Sequence, residues 1–193
     1  ALAPLALGAR LVQRRSDETA GWWVFIPPQP NRAAALKKTA ELKSLGIFPS
    51  MFPMHTFYWG DWYGKIIGPE KAAQISPMRS ILSAGLHATS HTDAPVALPN
   101  LMQVAWATVN RTSRSSKVIG PDERVTPYEA MQMITIWGAE QFGEQANKGS
   151  IKEGKLADLV ILDRNPLTVD RMAIKDIRVV ETIKEGMTIY RAP

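Results

Sequence analysis

The sequence predicts an α/β protein with a parallel sheet that ends in a small element built from β-strands. The first observation is that a helix-forming stretch, a glycine and a short apolar stretch follow one another twice in the chain. Helices that alternate with buried strands are typical of a parallel sheet. The second observation is that residues 149–193 change to short strand-like stretches separated by turn residues. Such a pattern indicates hairpins rather than further helix–strand units.

The composition is that of a globular chain without thiol chemistry. The 193 residues suffice for one domain or for part of a larger one, and no run approaches the roughly 18 apolar residues of a membrane helix. Cysteine is absent, which excludes disulfides, thiolate metal sites and a cysteine nucleophile. A metal would need His, Asp or Glu ligands, and the histidines are His55, His87 and His91. We expect a soluble cytoplasmic protein without a membrane partner.

The positive charge is concentrated at the start of the chain. The net charge is +5, and residues 1–43 hold seven Lys or Arg against three Asp or Glu. A basic segment of this kind can bind nucleic acid or an acidic membrane. It lacks the interleaved aromatic and basic residues of nucleic-acid interfaces. A basic binding module is therefore kept as an alternative function, and we expect no nucleic-acid partner.

The first helix–strand unit follows an irregular N-terminal segment, residues 1–32. In that segment Gly21–Ile26 resembles a short strand, and three prolines follow it. Residues 33–45 are rich in Ala, Leu, Lys and Glu, which predicts a helix that ends at Gly46. The mostly apolar run Ile47–Met51 then predicts a buried strand.

The second unit begins after a long loop, which we predict over Phe52–Gly68. A helix is predicted over Pro69–Ala84, with Pro77 as its candidate break, because proline removes a hydrogen bond of the helix. Gly85 ends this helix, and Leu86–Ser90 is the second predicted strand.

The remaining elements are predicted from caps, periodicity and turns. Thr126, Pro127 and Glu129 form the signature of a helix start. We predict helices over Asn100–Asn110 and from Thr126 to about Phe142, strands over Leu156–Asp163, Ile177–Ile183 and Met187–Arg191, and a hairpin turn at Glu185–Gly186.

Polar side chains follow each of the two predicted parallel strands. His55 comes shortly after the first strand, and His91 and Asp93 follow the second. In β/α barrels the catalytic residues lie at the carboxyl ends of the strands. We therefore predict that these three residues belong to the functional site. The structural alternatives are that Asp93 holds a turn before Pro95, that backbone groups satisfy His55, and that His91 is a plain residue at the end of a strand.

Aromatic residues are dense in the predicted loop that carries His55. Such a loop can form the wall of an apolar substrate pocket, and Trp59 is our candidate there. Asp61 is a further candidate for substrate binding. The alternatives are core packing for the aromatic rings and a solvated carboxylate for Asp61. His87 lies within the second apolar strand, which favours a buried, hydrogen-bonded residue without a chemical role.

Three stretches resemble the amidohydrolase superfamily. The run GSIKEGKLADLVILD from Gly149 resembles the strand with which these chains leave a barrel and complete a small β-sandwich. The runs PSMFPMHTFYWGDW from Pro49 and SHTDAPV from Ser90 resemble the amidohydrolase 3 branch, which includes N-substituted formamide deformylase-like enzymes. The resemblance covers about residues 40–193 and keeps the expected order.

The resemblance implies a more specific fold than the α/β class. It implies the last strands of a TIM-type (β/α)8 barrel, followed by the C-terminal strands of a small β-sandwich. The domains would be an atypical N-terminal segment over residues 1–32, the C-terminal part of the barrel over residues 33–148 and the return strands over residues 149–193. Two strands cannot close a barrel, so we expect the chain alone to self-associate through open strand edges.

The resemblance also implies a metal-dependent hydrolase of C–N bonds other than peptide bonds, acting on small amides or formamides. A divalent metal, zinc by this resemblance, would lower the pKa of a bound water toward about 7. Asp93 falls on the position of the metal-binding carboxylate after the eighth strand, where it would also move the water proton to the leaving amine. His55, Trp59, Asp61 and His91 would contact or surround the substrate.

The other metal ligands implied by the resemblance lie upstream of the matched region, in a His-x-His and in later histidines. The chain lacks them, and it reads VFIPPQP from Val24, where a histidine-bearing strand is expected. Truncation together with an aberrant first segment is one hypothesis, which reading the coding DNA in all frames would test. The chain alone would then bind no metal, and the alternative function is a catalytically inactive fragment or pseudoenzyme.

Overall fold

The computed structural model describes the backbone of residues 10–13 and 22–25, residues 37 and 41, and all residues from 43 to 193. The chain divides into two compact units, residues 1–47 and residues 48–193.

The first unit contains a two-stranded antiparallel sheet. β1 (Arg10–Gln13) pairs with β2 (Trp22–Phe25). β2 confirms the strand predicted within Gly21–Ile26, whereas β1 was not predicted, because four residues of mixed polarity carry no clear alternation.

The helix predicted over residues 33–45 is confirmed at four described positions, whereas Leu45 belongs to the turn that follows. Lys37, Glu41, Lys43 and Ser44 are helical, and most other positions of this prediction lie outside the described residues. Gly46 has a φ of 66° and follows the helical stretch, as predicted for its end.

The second unit contains two very short parallel strands. β3 (Ser50–Met51) pairs with β4 (Thr89–Ser90). The ladder continues one residue further, because the His91 N–H donates to the Met51 carbonyl at 2.9 Å. Both predicted strands are thus confirmed as parallel neighbours, and each is shorter than predicted. Pro49 lacks an N–H for the ladder, which fits the late start of β3.

The predicted loop over Phe52–Gly68 is wrong, because α1 spans Met54–Ile66. The segment holds two glycines and five aromatic residues, which are weaker helix formers than Ala or Leu. Tertiary packing overrides these propensities. At Gly60 a Cβ atom would lie 2.8 Å from Cγ1 of Ile119, so glycine is what lets this part of the helix pack closely. The aromatic residues are therefore distributed over helix faces instead of a loop.

Of the other long helices predicted from the sequence, two are broken in the structure and the one over Asn100–Asn110 is confirmed. The helix predicted over Pro69–Ala84 is two helices, separated around Pro77, and the helix predicted from Thr126 breaks at Ile134 and Thr135. The helices are α2 (Pro69–Ala73), α3 (Met78–Ser83), α4 (Leu101–Asn110), α5 (Pro127–Met133) and α6 (Ile136–Gln141), with 3-10 helices at Pro121–Glu123 and Arg171–Asp176. In the part of the chain that the structure describes, no helix has the length and apolar character to cross a membrane.

α5 begins with the cap predicted from the sequence. The Thr126 hydroxyl accepts the Glu129 N–H at 3.2 Å, and the Glu129 carboxylate accepts the Thr126 N–H at 2.7 Å. The same carboxylate accepts hydrogen bonds from both terminal nitrogens of Arg79, at 2.9 and 2.6 Å. These bonds join α3 to α5. These hydrogen bonds, foremost those from Arg79, lower the pKa of Glu129 to about 2.

We expect Glu129→Gln to lower the free energy of unfolding at neutral pH by about 1–3 kcal/mol, because the charged hydrogen bonds are weakened. The pKa of the Glu129 carboxyl is about 2 in the folded chain, below its ordinary 4.5. Between these two pH values the unfolded chain therefore binds more protons than the folded chain. The stabilisation is complete above about pH 4.5 and is lost as the pH falls toward about 2. Urea unfolding across this range measures it.

Glu153→Gln is the matched control, because Glu153 is an exposed residue of a turn. We expect this control to keep the acid dependence of the unsubstituted chain. An unchanged acid dependence in Glu129→Gln would contradict the assignment.

The core of the second unit is built around α4. Most residues of α4 are buried, and apolar side chains of α1, α3, α5 and α6 join the same cluster; its members include Met54, Met78, Val104, Trp106, Val109, Met133 and Trp137. β4 also lies against α4, since the Ser90 and Thr108 hydroxyls are 3.4 Å apart. The core therefore fixes α1 relative to the two parallel strands.

The C-terminal residues form an antiparallel sheet in the order β5 (Leu159–Leu162), β6 (Val179–Lys184) and β7 (Met187–Arg191). Glu185 and Gly186 join the last two strands with φ values of 49° and 81°. Positive φ at both central residues is the requirement of the favoured two-residue hairpin turn. The predicted hairpin is thus confirmed.

Candidate functional site

The carboxyl ends of β3 and β4 bring together three of the predicted site residues. β3 ends at Met51, and His55 is the second residue of α1, which follows. β4 ends at Ser90, and His91 and Asp93 come next. Since the strands are parallel neighbours, these side chains lie at the same end of the sheet. Electrostatic interactions with Asp93 and His91 both influence the pKa of His55, which agrees with this proximity.

The buried ring of Phe52 contacts both His55 and His91. Phe52 is 8% exposed and lies between β3 and α1. Its ring centroid is 4.7 Å from that of His55 in an edge-on contact and 5.6 Å from that of His91 in a nearly parallel one. The two imidazoles therefore pack on the same fixed side chain, which limits their movement relative to each other.

α1 packs two further rings against His55. Trp59 lies four residues later, with its centroid 5.5 Å away, and Tyr63 lies eight residues later and stacks at 5.8 Å with an interplanar angle of 12°. The Tyr63 hydroxyl is 3.3 Å from Nδ1 of His55. Tyr63 belongs to the aromatic stretch that was predicted to form the wall of a substrate pocket, but it was not singled out as a site residue. The four-residue spacing would have revealed it if this segment had been predicted as a helix.

Burial changes the acid–base behaviour of His55. Partial burial lowers the pKa of His55 below its ordinary 6.5; Asp93 opposes this shift, and His91 adds to it. The net lowering keeps the imidazole neutral at neutral pH. A neutral imidazole donates from one nitrogen and accepts at the other, so it can orient a polar substrate atom.

Asp93 stands at the exposed edge of this group. Its φ of 52° is in the left-handed region, which Asp tolerates better than most residues. Its carbonyl accepts the Val96 N–H at 2.7 Å, which forms a turn. The turn predicted as the structural alternative is therefore present. It is made by the backbone of Asp93, so a chemical role of the carboxylate is compatible with it.

Asp61 lies apart from this group, on another face of α1. Its carboxylate accepts hydrogen bonds from the Ser113 hydroxyl at 2.9 Å, the Ser115 N–H at 3.1 Å and the Ser115 hydroxyl. These bonds, foremost that of the Ser115 hydroxyl, lower the pKa of Asp61. Asp61 also lines a cleft of about 380 Å³ with Lys65 and Lys117. The structure thus places Asp61 as an anchor for the loop that follows α4.

The expectation of a buried His87 is wrong. Its side chain is 48% exposed, because β4 begins only at Thr89. Its imidazole stacks on Trp137 at 4.6 Å, and Nδ1 lies 2.6 Å from the Glu140 carboxylate. The hydrogen bond was expected, and the exposure was not. His87 precedes β4 and therefore lies at the opposite end of the strand from His91.

The described residues do not form a metal site by themselves. Over residues 43–193 and the described positions before them, no three His, Asp or Glu side chains are grouped so as to hold a metal ion. His55, His91 and Asp93 thus do not fit a complete ligand set in this arrangement.

A larger open groove of about 1500 Å³ lies elsewhere, between α4 to α6 and the C-terminal sheet. None of the predicted site residues lines it. The candidate site is therefore the smaller group at the ends of β3 and β4.

The sequence of this chain is similar to one known protein family and to several individual enzymes. The model of the amidohydrolase family matches residues 30–190. The N-substituted formamide deformylase of Arthrobacter pascens is 31% identical over 151 residues, which is 78% of this chain and 28% of that enzyme. A 5-methylthioadenosine/S-adenosylhomocysteine deaminase of Moorella thermoacetica is 31% identical over 93 residues, which is 48% of this chain and 21% of that enzyme.

A solved structure shares the fold. An adenosine deaminase from Xanthomonas campestris with bound zinc superposes with a TM-score of 0.57 at 17% identity, over 82% of this chain and 35% of that one. The chain spans about a third or less of the length of the proteins that it matches. The resemblance drawn from the motifs is confirmed, and the chain belongs to the amidohydrolase family.

Proposed function

We propose that this chain is part of a hydrolase that cleaves C–N bonds other than peptide bonds, in small amides or formamides. The observation that carries the proposal is the juxtaposition of His55, His91 and Asp93 at the ends of two parallel strands, in a chain of the amidohydrolase family. The names of the relatives, a deformylase of N-substituted formamides and a deaminase, support a C–N bond as the target.

The proposal includes the finer fold. β3 and β4 would be the last strands of a TIM-type barrel within residues 33–148, and β5 to β7 would be the return strands of a small β-sandwich within residues 149–193. The parallel pair followed by a separate antiparallel sheet supports this division. Catalytic residues of such barrels lie at the carboxyl ends of the strands, which is where the three side chains stand.

The chemistry follows from the properties of the individual groups. The neutral His55 imidazole donates a hydrogen bond to the substrate carbonyl oxygen, and a water attacks the carbonyl carbon. The Asp93 carboxylate accepts the water proton and passes it to the nitrogen as the C–N bond breaks, which releases a carboxylic acid and an amine. His91 and the Trp59 ring flank the substrate. Asp61 would contact substrate only from the separate cleft that it lines.

A divalent metal belongs to the proposal for the complete enzyme, as zinc is bound in the Xanthomonas deaminase. The described residues do not supply a full ligand set. A metal would therefore need Asp93 together with ligands from outside these residues. The same observation favours a second candidate, a catalytically inactive fragment or pseudoenzyme.

Hydrolysis and metal content of the purified chain test the proposal. The chain is supplied with zinc, amine release from an N-substituted formamide is followed, and bound metal is measured by mass spectrometry. Asp93→Asn should lower turnover by about 10²- to 10⁴-fold, the usual contribution of a general base. Asparagine also tolerates the left-handed backbone, so the turn should persist.

Asp122→Asn is the control, because Asp122 is exposed in the 3-10 helix Pro121–Glu123. Its turnover should equal that of the unsubstituted chain. Turnover that survives Asp93→Asn would contradict the role of Asp93, and a chain without metal or turnover would support the second candidate.

A further inference from the structure

The protonated nitrogen of His55 decides what this residue offers a substrate. A neutral imidazole carries its proton on Nδ1 or Nε2, and the hydrogen bond of one nitrogen selects the state of the other. Nδ1 of His55 lies 3.3 Å from the Tyr63 hydroxyl. This separation is slightly longer than the usual range of about 2.7–3.2 Å for hydrogen bonds between nitrogen and oxygen.

The chemistry of the two groups gives the direction of this hydrogen bond. A phenolic oxygen keeps its proton at neutral pH and shares its lone pair with the ring, so it is a good donor and a weak acceptor. An unprotonated imidazole nitrogen is the stronger acceptor of the two. The Tyr63 hydroxyl therefore donates to Nδ1, and the remaining proton of the neutral ring resides on Nε2.

The surrounding rings hold this geometry. Tyr63 stacks on His55 within the same helix, so the fixed geometry of α1 sets their separation. Phe52 meets the imidazole edge-on at 4.7 Å, and Trp59 contacts it at 5.5 Å. An imidazole packed by three rings cannot easily rotate to exchange its two nitrogens.

We propose that Tyr63 is a positioning residue that fixes His55 as the Nε2-protonated tautomer and presents this N–H to the carbonyl oxygen of the substrate. The part that concerns substrate rests on the proposed function. The tautomer itself does not, because it is a property of the folded chain. Burial supports the arrangement by lowering the pKa of His55, which keeps the ring neutral.

Nitrogen NMR of the imidazole rings tests the proposal without substrate. The chain has three histidines, so replacing His87 and His91 one at a time by Gln assigns the signals. The chain labelled with ¹⁵N is measured above the ordinary histidine pKa of about 6.5. His55 should show a protonated Nε2 and an unprotonated Nδ1 whose shift is displaced by an accepted hydrogen bond.

Tyr63→Phe removes the hydroxyl and keeps the stacked ring. The Nδ1 signal of His55 should move toward the value of an unbonded nitrogen, while the signals of His87 stay in place. Tyr58→Phe is the matched control on the same helix, where the ring contacts Trp59, and it should leave His55 unchanged. A protonated Nδ1 in the unsubstituted chain, or an unchanged His55 in Tyr63→Phe, would overturn the proposal.

Turnover separates this inference from the proposed function. If the chain hydrolyses formamides, Tyr63→Phe should lower kcat by about five- to tenfold, the equivalent of one hydrogen bond, with KM nearly unchanged. A chain that never turns over but shows the expected tautomer and its loss would favour the second candidate, an inactive fragment or pseudoenzyme, and would support the positioning role of Tyr63. Turnover by the chain together with an unchanged His55 signal in Tyr63→Phe would support the proposed hydrolase and overturn the positioning role of Tyr63.

Discussion

Replacing Arg111 by Met is expected to lower the free energy of unfolding by about 3–5 kcal/mol. Arg111 follows α4 and is 1% exposed. Its Nε donates to the Ile119 carbonyl at 2.7 Å, and its terminal nitrogens donate to the carbonyls of Ser76 at 2.8 Å, Ala73 at 3.1 Å and Ile75 at 2.7 Å. One buried side chain thus satisfies four backbone oxygens.

The size of this effect follows from the charge and the burial. Burial lowers the pKa of Arg111 to about 10, so the guanidinium remains charged at neutral pH. Three of its partners lie at or just beyond the end of α2, where carbonyl oxygens carry partial negative charge. Methionine keeps much of the length and loses every donor. Carbonyl oxygens that remain buried without partners are costly.

Urea unfolding of both the Arg111→Met and Arg114→Met chains measures this prediction. Arg114 is exposed, and its guanidinium lies 4.9 Å from the Tyr58 ring centroid, so its loss should cost at most about 1 kcal/mol. Equal losses in the two variants would show that the buried hydrogen bonds contribute little.

Gly120→Ala is expected to lower the free energy of unfolding by about 2–5 kcal/mol, as the sum of backbone strain and overpacking. Gly120 has a φ of 63°, and a Cβ atom there would lie 2.1 Å from the Ala73 carbonyl oxygen. This oxygen belongs to the backbone and already accepts a hydrogen bond from Arg111. It cannot move away without disturbing the segment that leads from α2 to α3.

Gly143→Ala separates the two causes. Gly143 has a similar φ of 72°, with nothing within 4 Å of the added Cβ. It should therefore show only the strain of about 1–2 kcal/mol. Thermal or urea unfolding of the two variants gives the difference. If both variants lose the same stability, the contact with Ala73 is not what requires glycine at position 120.

Much of the fold and part of the candidate site could be predicted because their signals are local. The capping box of Thr126 and Glu129, the turn at Glu185 and Gly186 and the apolar runs before His55 and His91 each lie within a few residues. Neighbouring residues suffice to determine a cap, a turn or a short strand. The sequence by itself therefore determined the α/β class, the two parallel strands and the polar residues that follow them.

Tertiary structure alone decided the features that depend on distant partners. α1 forms in a segment with weak helix propensity because Gly60 packs against Ile119 and the helix joins the core around α4. That helix brings Tyr63 to His55, and contacts across some 50 residues draw Asp61 to Ser113 and Ser115. Such contacts leave no period in the sequence, since their energy comes from shape and hydrogen bonding between segments that meet only after folding.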